Sequence, residues 1–273
     1  MSSGYIWRVI VLVVFTTLSL LADAKITKEQ ADYIAKKVWQ NEGALQDKYL
    51  VHWNDGEDFA SLGIGHFIWF PKGHTEKFRE VFPLVLGFME ENNVTMPKWL
   101  SSKTPCPWNS KTELFLAKAK NDKQYLELFD FLKQNMPYQA MYMSKRAFDA
   151  LPLMLSTLKD EKKKEIIRHR YNQILYNRDG SINEHGLYIL IDYVNFKGEG
   201  TLESERYNSQ GWGLLQVLEN MDDKEKDRFK AFSKSAKEIL SRRIANSPKA
   251  RGEERWRIGW NKRLDTYLLK EYE

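Results

Sequence analysis

The fold is decided by residues 59–70, Phe-Ala-Ser-Leu-Gly-Ile-Gly-His-Phe-Ile-Trp-Phe. Alternate apolar residues over 62–68 predict extended structure with one face toward a core. The other side carries Ser61, Gly63 and Gly65, and glycines in a strand let a ligand or another backbone approach closely. The segment therefore predicts a small β-hairpin with one face available to a substrate.

A helix is predicted over 27–42, just before this segment. Thr27 and Gln30 have the spacing of a capping box. An apolar stripe at helical spacing follows, formed by Ala31, Ile34, Ala35 and Val38. Gly43 is a natural stop, because glycine readily takes the left-handed conformation that ends helices. Glu42 is thus expected at the helix C-terminus, where the helix dipole opposes ionisation of a carboxylate.

The first 24 residues differ from the rest of the chain. Arg8 precedes an apolar run from Val9 to Leu21, and the run is followed by Ala22-Asp23-Ala24. This order is typical of a cleavable secretory signal peptide, with the mature chain beginning near Lys25. The alternative is a membrane anchor, but a spanning helix needs about 20 apolar residues, more than this run has. We therefore expect a secreted or periplasmic protein without stable membrane insertion.

Composition sets the broad class of the protein. The chain has 273 residues, of which 42% are hydrophobic and 29% charged, so we expect one globular domain over 25–273. Cys106 is alone, which excludes an intramolecular disulfide, and its flanking prolines favour an inert thiol. No residue cluster has metal-ligand spacing, and we expect no cofactor. The net charge of +5 favours anionic partners, but no nucleic-acid motif accompanies it.

Several ordered segments resemble the phage-type lysozymes (endolysins). In that family a glutamate ends the first helix and a hairpin follows with an Asp, a Thr and a Gly-Ile-Gly-His run. The matching residues here are Asn41-Glu42-Gly43, Asp55 and the run from Ser61 to His66. Residues 193–200 resemble the helical segment behind the family's cleft. The stretch from Pro248 to Arg251, with Gly259, Asp265 and Tyr267, is similar to its C-terminal pattern.

The resemblance implies an α+β, mainly α, two-lobe fold with a small β-hairpin sheet at about 58–70. Residues 75–185 exceed what that family needs, and we expect them to form an extra helical insertion in the helical lobe. The implied activity is that of a monomeric glycoside hydrolase acting on peptidoglycan or a related amino-sugar polymer. Glycosidic cleavage needs a protonated acid at the leaving oxygen and a second group that handles water.

The resemblance also assigns site residues. Glu42 is expected as the acid, with Asp55 and Ser61 positioning the water. Ser61 stands where the family usually has Thr. The gap between Glu42 and Asp55 is a few residues longer than in the family. Asn54 or Glu57 therefore competes with Asp55 for the second role.

Further residues are expected to support the site. Arg251 corresponds to the family arginine that meets the catalytic glutamate, and His66 is expected to hydrogen-bond near the lobe junction. Gly63, Gly65 and Asn195 are expected beside the substrate. Four tryptophans are candidates for sugar stacking, namely Trp53, Trp69, Trp108 and Trp212, although most of the nine are expected in the core. Glu199 and Glu203 are exposed alternatives for the acid.

Three rival functions remain open. The run Gly213-Leu-Leu-Gln-Val217 is similar to a motif of lytic transglycosylases and goose-type lysozymes, which need only one glutamate. A chitosanase-like hydrolase would cut another amino-sugar polymer. A wall-binding protein on the same fold would have lost the chemistry.

Overall fold

The computed structural model describes residues 26–43, 46–74 and 80–268, so the expected leader lies outside it. Within these ranges the protein is mainly helical with two small antiparallel sheets, one of three strands and one of two, which confirms the predicted α+β, mainly α, class. The helices are α1 (Lys28–Gly43), α2 (Phe82–Glu91), α3 (Lys111–Ala119), α4 (Lys123–Gln134), α5 (Met136–Thr157), α6 (Glu161–Leu175), α7 (Glu184–Lys197), α8 (Leu214–Asn220), α9 (Arg228–Asn246) and α10 (Arg257–Asp265). The strands are β1 (Val51–His52), β2 (Ala60–Leu62), β3 (Phe67–Trp69), β4 (Arg206–Tyr207) and β5 (Gln210–Gly211).

Helix α1 begins at the predicted capping box. The backbone N–H of Gln30 donates to the Thr27 hydroxyl at 3.2 Å, and the backbone N–H of Thr27 donates to the Gln30 side-chain oxygen at 2.9 Å. These two bonds satisfy amides that the helix itself leaves without partners. The predicted apolar stripe is buried. Local sequence therefore sets both the start and the orientation of α1.

The β-hairpin predicted at about 58–70 is present as β2 and β3, but the chain is not extended throughout 59–70, because residues 63–66 turn between the two strands. The two strands are antiparallel, with Ala60 opposite Trp69 and Leu62 opposite Phe67. Gly63 and His66 have left-handed backbones, with φ of 68° and 47°. Strand β1 pairs with the other edge of β2, which gives the sheet order β1-β2-β3.

Helix α5 lies at the centre of the fold. Both α1 and α7 pack against it, and α2 and α6 contact it as well. It buries Ala140, Met143, Ala147, Ala150 and Met154. The segment 75–185, expected as an extra insertion, therefore supplies the central helix of the hydrophobic core.

The C-terminal helices begin and end at local signals. Helix α7 buries a largely apolar run from Leu187 to Val194 and ends before Gly198, whose φ is 77°. Helix α9 begins at Arg228. The reason is a local cap, since the Asp227 side chain accepts hydrogen bonds from the amides of Phe229 and Lys230.

The buried carboxylate of Asp192, on α7, connects α1 to α10. Asp192 on α7 is fully buried. Arg263 of α10 donates to its two oxygens at 2.9 and 2.8 Å. The Tyr267 hydroxyl donates at 2.5 Å, and the Asn41 amide of α1 donates at 3.1 Å. Three distant parts of the chain thus share one charged centre.

Among the residues that the structure describes, no helix is both long and apolar enough to span a bilayer.

We expect Asp192→Asn to lower the free energy of unfolding by about 3–5 kcal/mol, because it leaves the shielded Arg263 guanidinium without a counter-charge. Urea denaturation measures this loss. The matched control is Asp265→Asn, which breaks the more exposed pair with Lys237 and should cost at most about 1 kcal/mol. Equal losses of unfolding free energy in the two variants would show that the buried network stabilises the protein no more than an exposed ion pair does.

Candidate active site

Glu42 lies in the last turn of α1, one residue before the helix ends. The structure describes its place in the helix, while its side chain lies outside the described part. That last turn contains no basic residue to offset the negative end of the helix dipole. The position therefore disfavours the charged form of a glutamate, as a general acid requires.

The loop between β1 and β2 holds a second carboxyl group, that of Glu57. Its Oε2 accepts a hydrogen bond of 2.9 Å from the Asn54 amide, and it is also hydrogen-bonded to the Ser61 side chain. Trp53 fixes the loop, because its indole N–H donates to the Glu57 backbone oxygen at 2.6 Å. Burial raises the pKa of Glu57, and the hydrogen bonds from Asn54 and Ser61 offset part of that rise.

Asp55, the first choice for the second carboxyl, lies in solvent. Its side chain is 97% exposed and pairs with Lys111 of α3 at 2.5 Å. The hydrogen bond from Lys111 and its positive charge hold the pKa of Asp55 below the usual range. Ser61 is buried and contacts Glu57. The expected pairing of Ser61 with Asp55 is thus replaced by one with Glu57, which the sequence left as an alternative.

The glycines of the hairpin turn approach protein side chains. A Cβ on Gly63 would lie 2.2 Å from the Gln139 side-chain oxygen, and one on Gly65 would lie 2.6 Å from the Phe67 ring. Gln139 is fully buried; it accepts from the Ile64 amide and donates to the Leu132 carbonyl. The face expected to be open to a substrate is therefore covered by α5, and the glycines serve packing.

Asn195 and His66 lie at the junction between the hairpin and the helices. The Asn195 amide donates to the Gly65 carbonyl at 3.2 Å, which ties α7 to the turn. His66 is half-buried with a left-handed backbone. Asn195 therefore holds the turn in place through its backbone.

The tryptophans proposed for sugar stacking are core residues. Trp69 is fully buried, donates to the Thr104 carbonyl at 3.0 Å and packs edge-on against Phe82. The other three candidates are also buried, namely Trp53, Trp108 and Trp212. None of these four presents a ring face to a ligand.

Arg251 forms an ion pair with Glu253, two residues further along the chain. Its Nε donates to Glu253 at 3.0 Å, and Arg243 donates to the same carboxylate at 2.8 and 3.0 Å. Glu253 is buried, so two guanidinium groups neutralise it. Arg251 was expected to contact Glu42, but the side chain of Glu42 lies outside the described part of the structure.

The alternative acids at the end of α7 differ from each other. Glu199 was expected to be exposed, but its side chain is only 13% exposed and accepts two hydrogen bonds from Arg146. Glu203 is 89% exposed. Glu205, two residues on, was missed: its Oε2 is shielded from solvent and has no hydrogen-bond partner. Burial and the nearby Glu199 charge raise the pKa of Glu205.

Cys106 and possible metal ligands are further candidates for reactive groups in the described part of the chain. Cys106 is buried, and burial raises the pKa of its thiol to about 12, so it is a poor nucleophile. Within the described ranges no group of His, Cys, Asp and Glu side chains could hold a metal ion. Glu57 and Glu205 are thus two described carboxyl groups whose pKa is raised by burial, and a raised pKa favours the neutral acid.

Comparisons of the chain with family models, with curated proteins and with solved structures find no match.

We expect Gly63→Ala to destabilise the protein more than Gly56→Ala does. Both glycines have a left-handed φ, 68° and 78°, so both changes strain the backbone. Only the Gly63 methyl group would displace Gln139, whereas nothing lies within 4 Å at Gly56. Losing the buried bond to Ile64 adds about 1–3 kcal/mol, measurable by urea denaturation. Equal losses would mean that the contact with Gln139 contributes nothing.

We expect Glu57→Gln to flatten the dependence of stability on pH. The raised pKa of Glu57 favours the folded state at low pH, and this advantage is lost as the pH rises through the folded-state value. The variant should therefore gain stability relative to the wild type in urea denaturation as the pH rises above 4.5, the ordinary pKa of a glutamate. Asp55→Asn should show the opposite sign, because the pKa of Asp55 is lowered. The same sign in both variants would contradict this electrostatic account.

Proposed function

We propose that this protein is an exported glycoside hydrolase of lysozyme-like fold that cleaves peptidoglycan or a related amino-sugar polymer. The observation that carries the proposal is the half-buried Glu57 carboxyl, held by Asn54 and Ser61 in the loop between β1 and β2, while Glu42 lies in the last turn of α1. Such a pair of carboxyl groups, on a helix end and in a hairpin loop, suits acid-assisted cleavage of a glycosidic bond.

Glu42 acts as the general acid in this proposal. A general acid must be protonated when substrate is bound, and it donates its proton to the leaving oxygen. The negative end of the α1 dipole favours that neutral form, and no basic residue in the last turn opposes it.

Glu57 acts as the second carboxyl, with Ser61 as its partner. In an inverting reaction it takes a proton from the water that attacks the opposite face of the sugar. The Glu42 and Glu57 carboxyls would then stand about 6.5–9.5 Å apart, whereas about 5 Å would suit a retaining enzyme with a covalent intermediate. The hydrogen bonds from Asn54 and Ser61 orient the carboxylate toward one of these tasks.

A lytic transglycosylase is the second candidate, and one observation favours it. The Gly213–Gln216 run that resembles those enzymes begins α8, where the Gln216 amide bridges the Gly213 N–H and the Gly200 carbonyl. This bridge stabilises the loop that follows Glu199. Such an enzyme uses one glutamate and releases products with an anhydro ring, while a hydrolase releases reducing ends.

The test is digestion of purified peptidoglycan and chitosan, with chromatography of the products. Glu42→Gln keeps the shape of the side chain but has no acid proton, so its rate should fall by about 10² to 10⁴. Glu57→Gln should also lose most activity under the hydrolase proposal. Asp55→Asn is the matched control on the same loop and should keep activity near that of the wild type, because that side chain lies in solvent.

Each outcome separates the candidates. Full activity of Glu42→Gln would overturn the site and leave Glu199 and Glu205 as the candidate acids. An inactive Glu42→Gln with an active Glu57→Gln and anhydro products would favour the transglycosylase. Binding of the polymer without cleavage by the wild type would favour a wall-binding protein.

A further inference from the structure

We propose that Asn41 is a positioning residue that holds the last turn of α1, and with it Glu42, in one orientation. The inference rests on the proposed function, because it assigns a role to Asn41 through the catalytic acid. It adds a residue that the sequence did not single out for chemistry or for binding.

The geometry anchors Asn41 at two points. Its side-chain nitrogen donates to the Tyr188 hydroxyl at 2.6 Å and to Asp192 Oδ1 at 3.1 Å. Both acceptors lie on α7, and both are buried. One side chain on α1 therefore makes two contacts with the adjacent helix.

The two acceptors are themselves held by the C-terminal segment. The Tyr188 hydroxyl is also hydrogen-bonded to the Thr266 hydroxyl at 2.8 Å. Asp192 is held by Arg263 and by Tyr267, so its oxygens have little freedom to move. Asn41 is therefore attached to a rigid cluster.

The last turn of a helix needs such an attachment. Its final carbonyls have no partners within the helix, and helix ends fray for this reason. Here Gly43 ends the helix, and a glycine does not restrict the backbone. The side-chain bonds of Asn41 give this turn two attachments to α7.

Asn41 and Glu42 are successive residues of the last turn of α1, so their backbone positions are coupled. Anchoring Asn41 sets the backbone position from which Glu42 projects. An aspartate here could not donate to the Asp192 oxygen and would add a second negative charge beside it.

Asn41→Ala tests the inference. Glu42 should become less well placed, so kcat should fall by about 10-fold to 100-fold with KM changed less than about twofold. A freer, better-hydrated helix end favours the charged carboxylate, so the alkaline limb of the pH–kcat profile should move to lower pH. Amide hydrogen exchange in the last turn of α1 should become faster.

Thr266→Val is the matched control. It removes the other hydrogen bond to the Tyr188 hydroxyl but leaves Asn41 with both of its acceptors. A purely structural role for the cluster would lower the Tm in both variants and leave both pH profiles unchanged. The inference requires faster exchange in α1 and a shifted profile only in Asn41→Ala.

The outcomes distinguish this inference from the proposed function. If Glu42→Gln is inactive while Asn41→Ala keeps the wild-type kcat and pH profile, the positioning role is overturned and the function stands. Unchanged exchange in α1 of Asn41→Ala overturns it as well. If Glu42→Gln is fully active, the proposed function fails, and the positioning role fails with it.

Discussion

The structure depends on one constraint, which is that the buried charge of Asp192 must be neutralised. A carboxylate in the core costs several kcal/mol unless it is paired and hydrogen-bonded. Arg263 supplies the charge, and Tyr267 and Asn41 supply further donors. Because these donors come from opposite ends of the chain, the requirement at Asp192 brings α1, α7 and α10 together. The hydrophobic core around α5 packs beside this network, since both α1 and α7 contact α5.

The parts of the fold that the sequence predicted are those set by neighbours in the chain. The capping box of α1 involves residues three apart, and α1 ends at Gly43 as predicted. The hairpin was misread in one respect. A hydrophobic pattern over 62–68 does not report backbone angles, so it did not show where the strand gives way to a turn. The φ angles of Gly63 and His66 decide for the turn.

The parts of the site that the sequence could not decide depend on distant residues. Asp55 and Glu57 lie in one loop, and their spacing gives no preference between them. Asp55 forms an exposed ion pair with Lys111 of α3. Glu57 is partly buried beside Ser61 and the loop around Trp53. The open face expected at Gly63 is likewise filled by Gln139, which is 75 residues away from its bonding partner Ile64. Propensity and spacing do not report such contacts, which arise only when the helices pack.

The separation of Asn41 from Asp192 also bears on the order in which the chain folds. The two residues are 151 positions apart, and Asp192 is a further 71 positions from Arg263. Closing loops of this length is slow compared with forming a helix or a hairpin. The N-terminal helix can form early, but its last turn acquires its final contacts only after the C-terminal residues have docked. Completion of the first helix is therefore among the last events of folding, and a chain that ends before Arg263 would leave the carboxylate of Asp192 without its counter-charge.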